Sequence, residues 1–321
     1  MNELKLGTIT DLEGNILILK KLLKLFSKNK IDILILAGDI PSQKKNSLFN
    51  VLKKSLKLKT PILLIPGSHE SFNDYDKPLR KLKNKLIIDG ARKLKYNFND
   101  YEFIFLPGSD YLARNGQYVL QQGIKNKKAH QKKRKMYSDW WLHKNFRYFD
   151  IFKVKKLIKN PKNAIIISHI PPKFNSKEAI DVAIFGTAFK NFSIKRPHLK
   201  LNFFKKLIKN KVLELVKNPK KGIIIKEIAT KLIKYKYPVK LLKKNVGNKD
   251  ILKLIKQKKI NKLICGHIHE AGNKACNLKG KLIPENKFSE EFFLNSGQAE
   301  KGYACIVTLK DNLAKYKKVK V

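Results

Sequence analysis

The feature that most constrains this chain is a recurring unit: a short apolar run of strand length that stops abruptly at a glycine, an acid or a histidine. Such runs occupy residues 4–9, 31–37, 61–65, 102–106, 164–167, 262–265, 291–294 and 303–309. Between the early ones, residues 16–27 and 48–56 interleave leucines and lysines at helical spacing. Strands alternating with amphipathic helices imply a layered α/β architecture, because each element must bury one apolar face against another layer. The chain has 321 residues, more than the roughly 250–300 at which a single core stops growing. The expectation is therefore one large domain with insertions, or a domain plus a small appendage, and the span taken is a single domain over 1–321. Two lysine-rich segments, 115–150 and 187–245, are expected to be insertions or covers over the strand framework, the second mostly helical by pattern.

The chemistry-bearing residues gather where those runs end. The first stops at Asp11-Leu12-Glu13-Gly14-Asn15, the second at Gly38-Asp39, and the third at Gly67-Ser68-His69-Glu70. Later runs stop at Ser168-His169 and at Gly266-His267-Ile268-His269. Ligand groups of open α/β sheets collect at the carboxyl ends of strands, so five positions far apart in sequence are expected to converge on one rim. Carboxylates and imidazoles suit a pair of divalent ions. The one-residue spacing of Asp11 and Glu13, and of His267 and His269, lets a turn aim two side chains into one site. Of seven histidines, four fall at these strand ends, while His130, His143 and His198 lie in the lysine-rich segments.

The ordered set DLEGN, AGDI, PGSHE, SHIPP and CGHIHEAG resembles the calcineurin-like metallophosphoesterase family. That family's pattern runs D-x-H, G-D, G-N-H-[ED], H and G-H-x-H, and Asn295-Ser296-Gly297 is similar to its closing N-P-G turn. The resemblance implies a four-layer sandwich, two mixed β-sheets face to face with helices outside, which periodicity alone does not distinguish from a doubly wound sheet. It implies that Asp39 bridges two metals, that Asp11, Glu13 and His269 complete one site, and that Ser68, His169 and His267 complete the other. His69 would be the general acid or charge stabiliser beside the leaving group, with Glu70 orienting its imidazole. A hydroxide held between the ions would attack phosphorus without a phospho-enzyme. Two positions depart from the pattern. Glu13 replaces a histidine and favours harder ions, so Mn²⁺ is expected first, with Mg²⁺, Fe²⁺ or Zn²⁺ as alternatives. Ser68 replaces an asparagine and offers a shorter, poorer ligand. The stretch from SHIPP onward, with a helix ahead of GHIH, is similar to the phosphodiesterase branch of the family.

Charge bears on partners. The formal net charge is +46, with 71 Lys and Arg against 25 Asp and Glu. Such a surface attracts polyanions, yet only six of the basic residues are arginine, the residue that phosphate-reading surfaces favour. Lysine excess of compositional origin and a working nucleic-acid surface both remain open. Lys127, Lys128, Lys132, Lys133, Arg134 and Lys135, followed by Trp140 and Trp141, would form that surface, with the tryptophans stacking bases. The readings carried forward are a metal-dependent phosphodiesterase, a nuclease acting on RNA or DNA, and a nucleic-acid-binding degenerate scaffold without turnover. No apolar run approaches the ~20 residues that span a bilayer, no signal-peptide core follows Met1, and Cys265, Cys276 and Cys305 form no CxxC pair. A basic cytoplasmic protein without a membrane partner is expected.

Overall fold

The computed structural model describes residues 3–42, 47–110, 118–121, 147–188, 224–234 and 239–321. Most of segments 115–150 and 187–245, including the basic run at 127–135, Trp140 and Trp141, lies outside these described residues. The chain divides into two compact units, Met1–Asp181 with Val246–Val321, and Val182–Asn245.

The larger unit is built on two sheets, with strands numbered here in chain order. In the first, β1 (Leu4–Ile9), β2 (Ile33–Ala37), β3 (Ile62–Ile65) and β4 (Ile87–Asp89) run parallel. Beside β1 the chain's end returns antiparallel as β17 (Tyr303–Lys310) and β18 (Leu313–Lys320), giving the order β18-β17-β1-β2-β3-β4. The second sheet contains β5 (Lys95–Phe98), β6 (Tyr101–Leu106), β9 (Ala164–Ser168), β13 (Lys262–Cys265), β14 (Lys274–Cys276), β15 (Leu282–Ile283) and β16 (Phe292–Asn295). Its order is β15-β14-β16-β13-β9-β6-β5, with the central four parallel and the outer strands antiparallel. A short parallel pair, β7 (Tyr118–Gln121) and β8 (Arg147–Asp150), forms a separate two-stranded sheet.

Side-chain alternation explains the layering. Along β2, Ile33, Ile35 and Ala37 point one way and Leu34 and Leu36 the other, and all five are buried, as expected of strands covered on both faces. The first set meets Phe103, Phe105, Ile165, Ile167, Ile264 and Leu294 of the second sheet. The other set packs against α1 (Ile16–Lys28), α2 (Ser47–Ser55) and α3 (Phe72–Leu82). The outer face of the second sheet packs Ile104, Ile166 and Leu263 against Ile151 and Val154 of a 3₁₀ turn and Ile251, Leu254 and Ile255 of the helix Lys249–Lys258. Helix, sheet, sheet, helix is the four-layer order that the resemblance implied. Each fully buried Leu, Ile or Phe contributes roughly 1.5–3 kcal/mol relative to exposure, so the two sheets form a stiff frame for whatever their ends carry.

The smaller unit holds an antiparallel sheet of β11 (Ile224–Ile225), β10 (Val182–Ala188) and β12 (Val239–Asn245), with the helix Lys226–Lys234. Among the described residues no helix is long and apolar enough to cross a membrane. The three cysteines are buried and unpaired.

Candidate metal centre

Five strand ends of the larger unit deliver the residues that the sequence singled out. β1 leads to Asp11 and Glu13, β2 to Asp39, β3 to Ser68, His69 and Glu70, β9 to His169, and β13 to His267 and His269. The loops are stitched together by backbone bonds: Asp11 N–H donates to the Gly38 carbonyl and Glu13 N–H to that of Asp39, both at 3.1 Å. Asp11, Glu13, Asp39 and His267 all adopt left-handed backbone, with φ of 52°, 49°, 54° and 69°. That region costs an L-residue on the order of 1–2 kcal/mol, and such strain concentrates at functional sites. Two glycines admit the close approach. A Cβ on Gly38, whose φ is +88°, would lie 2.5 Å from His169 Nδ1, and one on Gly266 would lie 2.5 Å from Asp11 Oδ2.

Asp39 is the hub. Its Oδ1 accepts the N–H groups of Ser68 (2.6 Å) and His69 (2.8 Å), and its Oδ2 accepts the Ser68 hydroxyl (2.7 Å). The same Oδ2 stands 3.1 Å from His169 Nε2. Donor atoms of Asp39, His169 and His267 lie within 4.8 Å of one another, and so do those of Glu13, Asp39 and His69, which makes Asp39 common to both sets. Asp11 and His269 form a further pair, Nε2 to Oδ1 at 3.2 Å, while the other Asp11 oxygen accepts the His267 N–H at 3.0 Å.

This donor set fits divalent ions on a specific observation. His169 Nδ1 contacts the Ala37 carbonyl at 3.0 Å, which fixes Nδ1–H as the donor and leaves the Nε2 lone pair facing the Asp39 carboxylate. Nε2 is fully buried and has no hydrogen-bond partner among the described residues. Two lone-pair-bearing atoms 3.1 Å apart need a cation between them, either a proton or a metal. Without metal the proton takes that place. Burial pulls the His169 imidazole down, but the Asp39 carboxylate carries it up to about 10. Burial likewise would raise Asp39, yet His169 holds it well below the usual carboxylate range. Asp11 is also lowered, since its bond to His269 and the charge of His169 outweigh burial. His267, half-buried beside the His169 cation with ring centroids 4.9 Å apart, is pushed down to about 4, by its desolvation first and then by that charge. Metal binding displaces such protons, so these pairs mark where ions would sit.

Three residues make contacts that the resemblance did not specify. Glu70 is buried and turned away from His69: its carboxylate accepts the N–H groups of Ile40 (3.0 Å) and Gly67 (2.8 Å). Burial and then the Asp39 charge raise it to about 7. Glu13, not Glu70, reaches the imidazole, with Oε1 2.7 Å from His69 Nδ1. The Ser68 hydroxyl is engaged with Asp39.

Asn295 is the functional residue whose part the sequence only hinted at. Fully buried, it directs its amide nitrogen at the carbonyls of Ile180, Gly266 and Ile268, and its oxygen accepts Gly297 N–H. It thereby fixes the turn that carries His267 and His269.

A family model described as calcineurin-like phosphoesterase matches residues 4–204. The fold superposes on the crystal structure of TT1561 of Thermus thermophilus with a TM-score of 0.54 at 10% identity, covering 99% of each chain. A dimetal phosphatase from Danio rerio is similar at a TM-score of 0.49 and 11% identity, over 99% of this chain and 98% of that one. No curated protein matches the chain.

Proposed function

The chain belongs to the calcineurin-like phosphoesterase family, and from that premise we propose that it is a metal-dependent phosphodiesterase whose ligands are the strand-end residues described above. The observation that carries this reading is the position of Asp39, a buried carboxylate that converges with the donor atoms of His169 and His267 and is close enough to Asp11, the partner of His269, for the two charges to interact. Asp39, His169 and His267 would hold one ion, and Asp39, Asp11 and His269 the other. When bound, two such ions supply Lewis acidity for the phosphoryl oxygens and an activated water. The chain's own groups do the rest. The backbone N–H groups of Ser68 and His69 hold Asp39 in place, the Ala37 carbonyl holds His169, and Asn295 holds the histidine turn. His69, about one-third exposed, stands at the open side of the site. It carries a proton up to about pH 9 because the Glu13 carboxylate, and then Asp39, outweigh its partial burial. A protonated imidazole there is suited to neutralise a leaving alkoxide.

Two carboxylates beside three imidazoles admit Mn²⁺, which is taken as the working metal, and three free thiols accord with a cytoplasmic setting. The test compares hydrolysis of bis(p-nitrophenyl) phosphate, p-nitrophenyl phosphate and a labelled single-stranded RNA with Mn²⁺ added. Preference for the small diester supports the proposal. Faster cleavage of RNA would make the protein a nuclease, and inactivity toward all three would overturn the enzymatic reading.

A further inference from the structure

We propose that Glu13 is a positioning residue for His69 rather than a metal ligand, so that this chain carries a Glu-His couple in place of one first-site ligand. The inference rests on the phosphoesterase reading for its catalytic meaning, but its geometry stands alone. Three carboxylates surround the His69 imidazole, and two are committed elsewhere. Glu70 accepts the Ile40 and Gly67 amides. Asp39 uses Oδ1 for two backbone amides and Oδ2 for the Ser68 hydroxyl, and stands 3.9 Å from His69 Nδ1. Glu13 is the one in contact, with Oε1 2.7 Å from that nitrogen.

Glu13 is held for this task. Its N–H donates to the Asp39 carbonyl, the next N–H, of Gly14, donates to the Ile40 carbonyl, and its own backbone is left-handed with φ of 49°. Asp39, His169 and His267 converge without it, and Asp11 pairs with His269 without it; Glu13 does form a second close set with Asp39 and His69, and within that set its contact is with the His69 imidazole. The contact is an ion pair set off the direction of an aligned hydrogen bond, since His69 Nδ1 has no hydrogen-bond partner in that stricter sense among the described residues. Bonds of this kind commonly tighten and align only when substrate binds.

The consequence is chemical. With Nδ1–H directed at Glu13, Nε2–H is presented to the substrate. As the oxygen of water forms its bond to phosphorus, releasing a proton to solvent, and the P–O bond to the alcohol breaks, the proton that neutralises the departing oxygen comes from Nε2. The next water returns a proton to that nitrogen. Help of this kind matters most for alcohols that leave poorly, and is typically worth about 10²–10⁴-fold.

The experiment uses Glu13→Gln, His69→Gln and the double variant of the full chain against a series of aryl methyl phosphodiesters of rising leaving-group pKa, with bound Mn²⁺ counted in each protein. Both single variants should lose about 10²-fold on the worst leaving groups, with the loss shrinking steadily as the leaving group improves. The double variant should lose no more than His69→Gln, and Glu13→Gln should keep the wild-type metal count. Loss of a Mn²⁺ equivalent in Glu13→Gln, or a leaving-group dependence equal to that of the wild type, overturns the proposal. Should the wild type hydrolyse none of these esters, the phosphoesterase reading fails, and imidazole ¹⁵N spectra of the metal-free protein still decide the contact. A shifted His69 Nδ1 resonance in Glu13→Gln upholds it, and an unmoved one refutes it.

Discussion

Replacing Asp39 by asparagine separates what the carboxylate does for the fold from what it does for the site. Its two oxygens have different partners: Oδ1 takes the Ser68 and His69 amides, whereas Oδ2 faces the Ser68 hydroxyl and His169. Asparagine can leave its carbonyl where Oδ1 was, and Ser68 can turn its hydroxyl to accept from the new NH₂. Three charge-assisted bonds then become neutral ones and the buried pair with His169 is broken, a loss of about 3–5 kcal/mol, or several degrees in Tm for a chain of this size. The site loses a ligand outright. The NH₂ occupies the position of Oδ2, and a neutral donor there cannot coordinate a cation or bridge two. Losing one shared anionic ligand should cost at least about 10³ in kcat/KM, equivalent to about 4 kcal/mol of transition-state stabilisation. The assay is bis(p-nitrophenyl) phosphate hydrolysis with Mn²⁺, alongside thermal melting. A folded Asp39→Asn protein that retains more than a tenth of wild-type activity would refute the assignment of Asp39 as the shared ligand.

Other residues give independent checks. Asn295→Ala leaves carbonyls of Ile180, Gly266 and Ile268 without their buried donor, so chemical denaturation should show a loss of roughly 2–4 kcal/mol and Mn²⁺ should bind more weakly. Gly38→Ala adds the cost of a non-glycine residue at positive φ, about 1–2 kcal/mol, to a Cβ 2.5 Å from His169. Calorimetric titration should find Mn²⁺ affinity reduced at least tenfold. Lys262 lies buried at the start of β13, donating to the Lys162 carbonyl and the Asn261 side chain, and burial lowers it to about 8. Because the unfolded chain then binds more protons between about pH 8 and the ordinary lysine value near 10.4, this group's contribution to stability rises with pH across that window, by at most about 3 kcal/mol. Lys262→Met should flatten that rise in denaturation curves taken at pH 7 and pH 10; an unchanged slope would show that the lysine is not the cause.

Much of the frame was legible because apolar runs and strands coincide. The reading of 262–265 matches β13, and 31–37 overshoots β2 by two residues. The order of strands was not legible. β17 sits beside β1 although nearly the whole chain separates them, and no local pattern records a pairing of that span, so a two-sheet sandwich followed from the resemblance alone. Short hairpin strands such as β5, β14 and β15 escaped notice for a different reason: with four, three and two residues they are too brief for a period to show. At the site, residue types at strand ends revealed which side chains convene, but not how they divide their bonds. Glu70 follows His69 directly and so looked like its partner, whereas the turn sends it to the Ile40 and Gly67 amides. Glu13, 56 residues earlier in the chain, arrives instead.

The most direct test is to strip the purified protein of metal and follow bis(p-nitrophenyl) phosphate hydrolysis while Mn²⁺ is added back. A rim that holds two ions through a shared Asp39 predicts no turnover at the start, and a saturable rise that is complete near two equivalents of bound metal. Turnover by the stripped protein, or silence at saturating Mn²⁺, Mg²⁺, Fe²⁺ and Zn²⁺ alike, would contradict it.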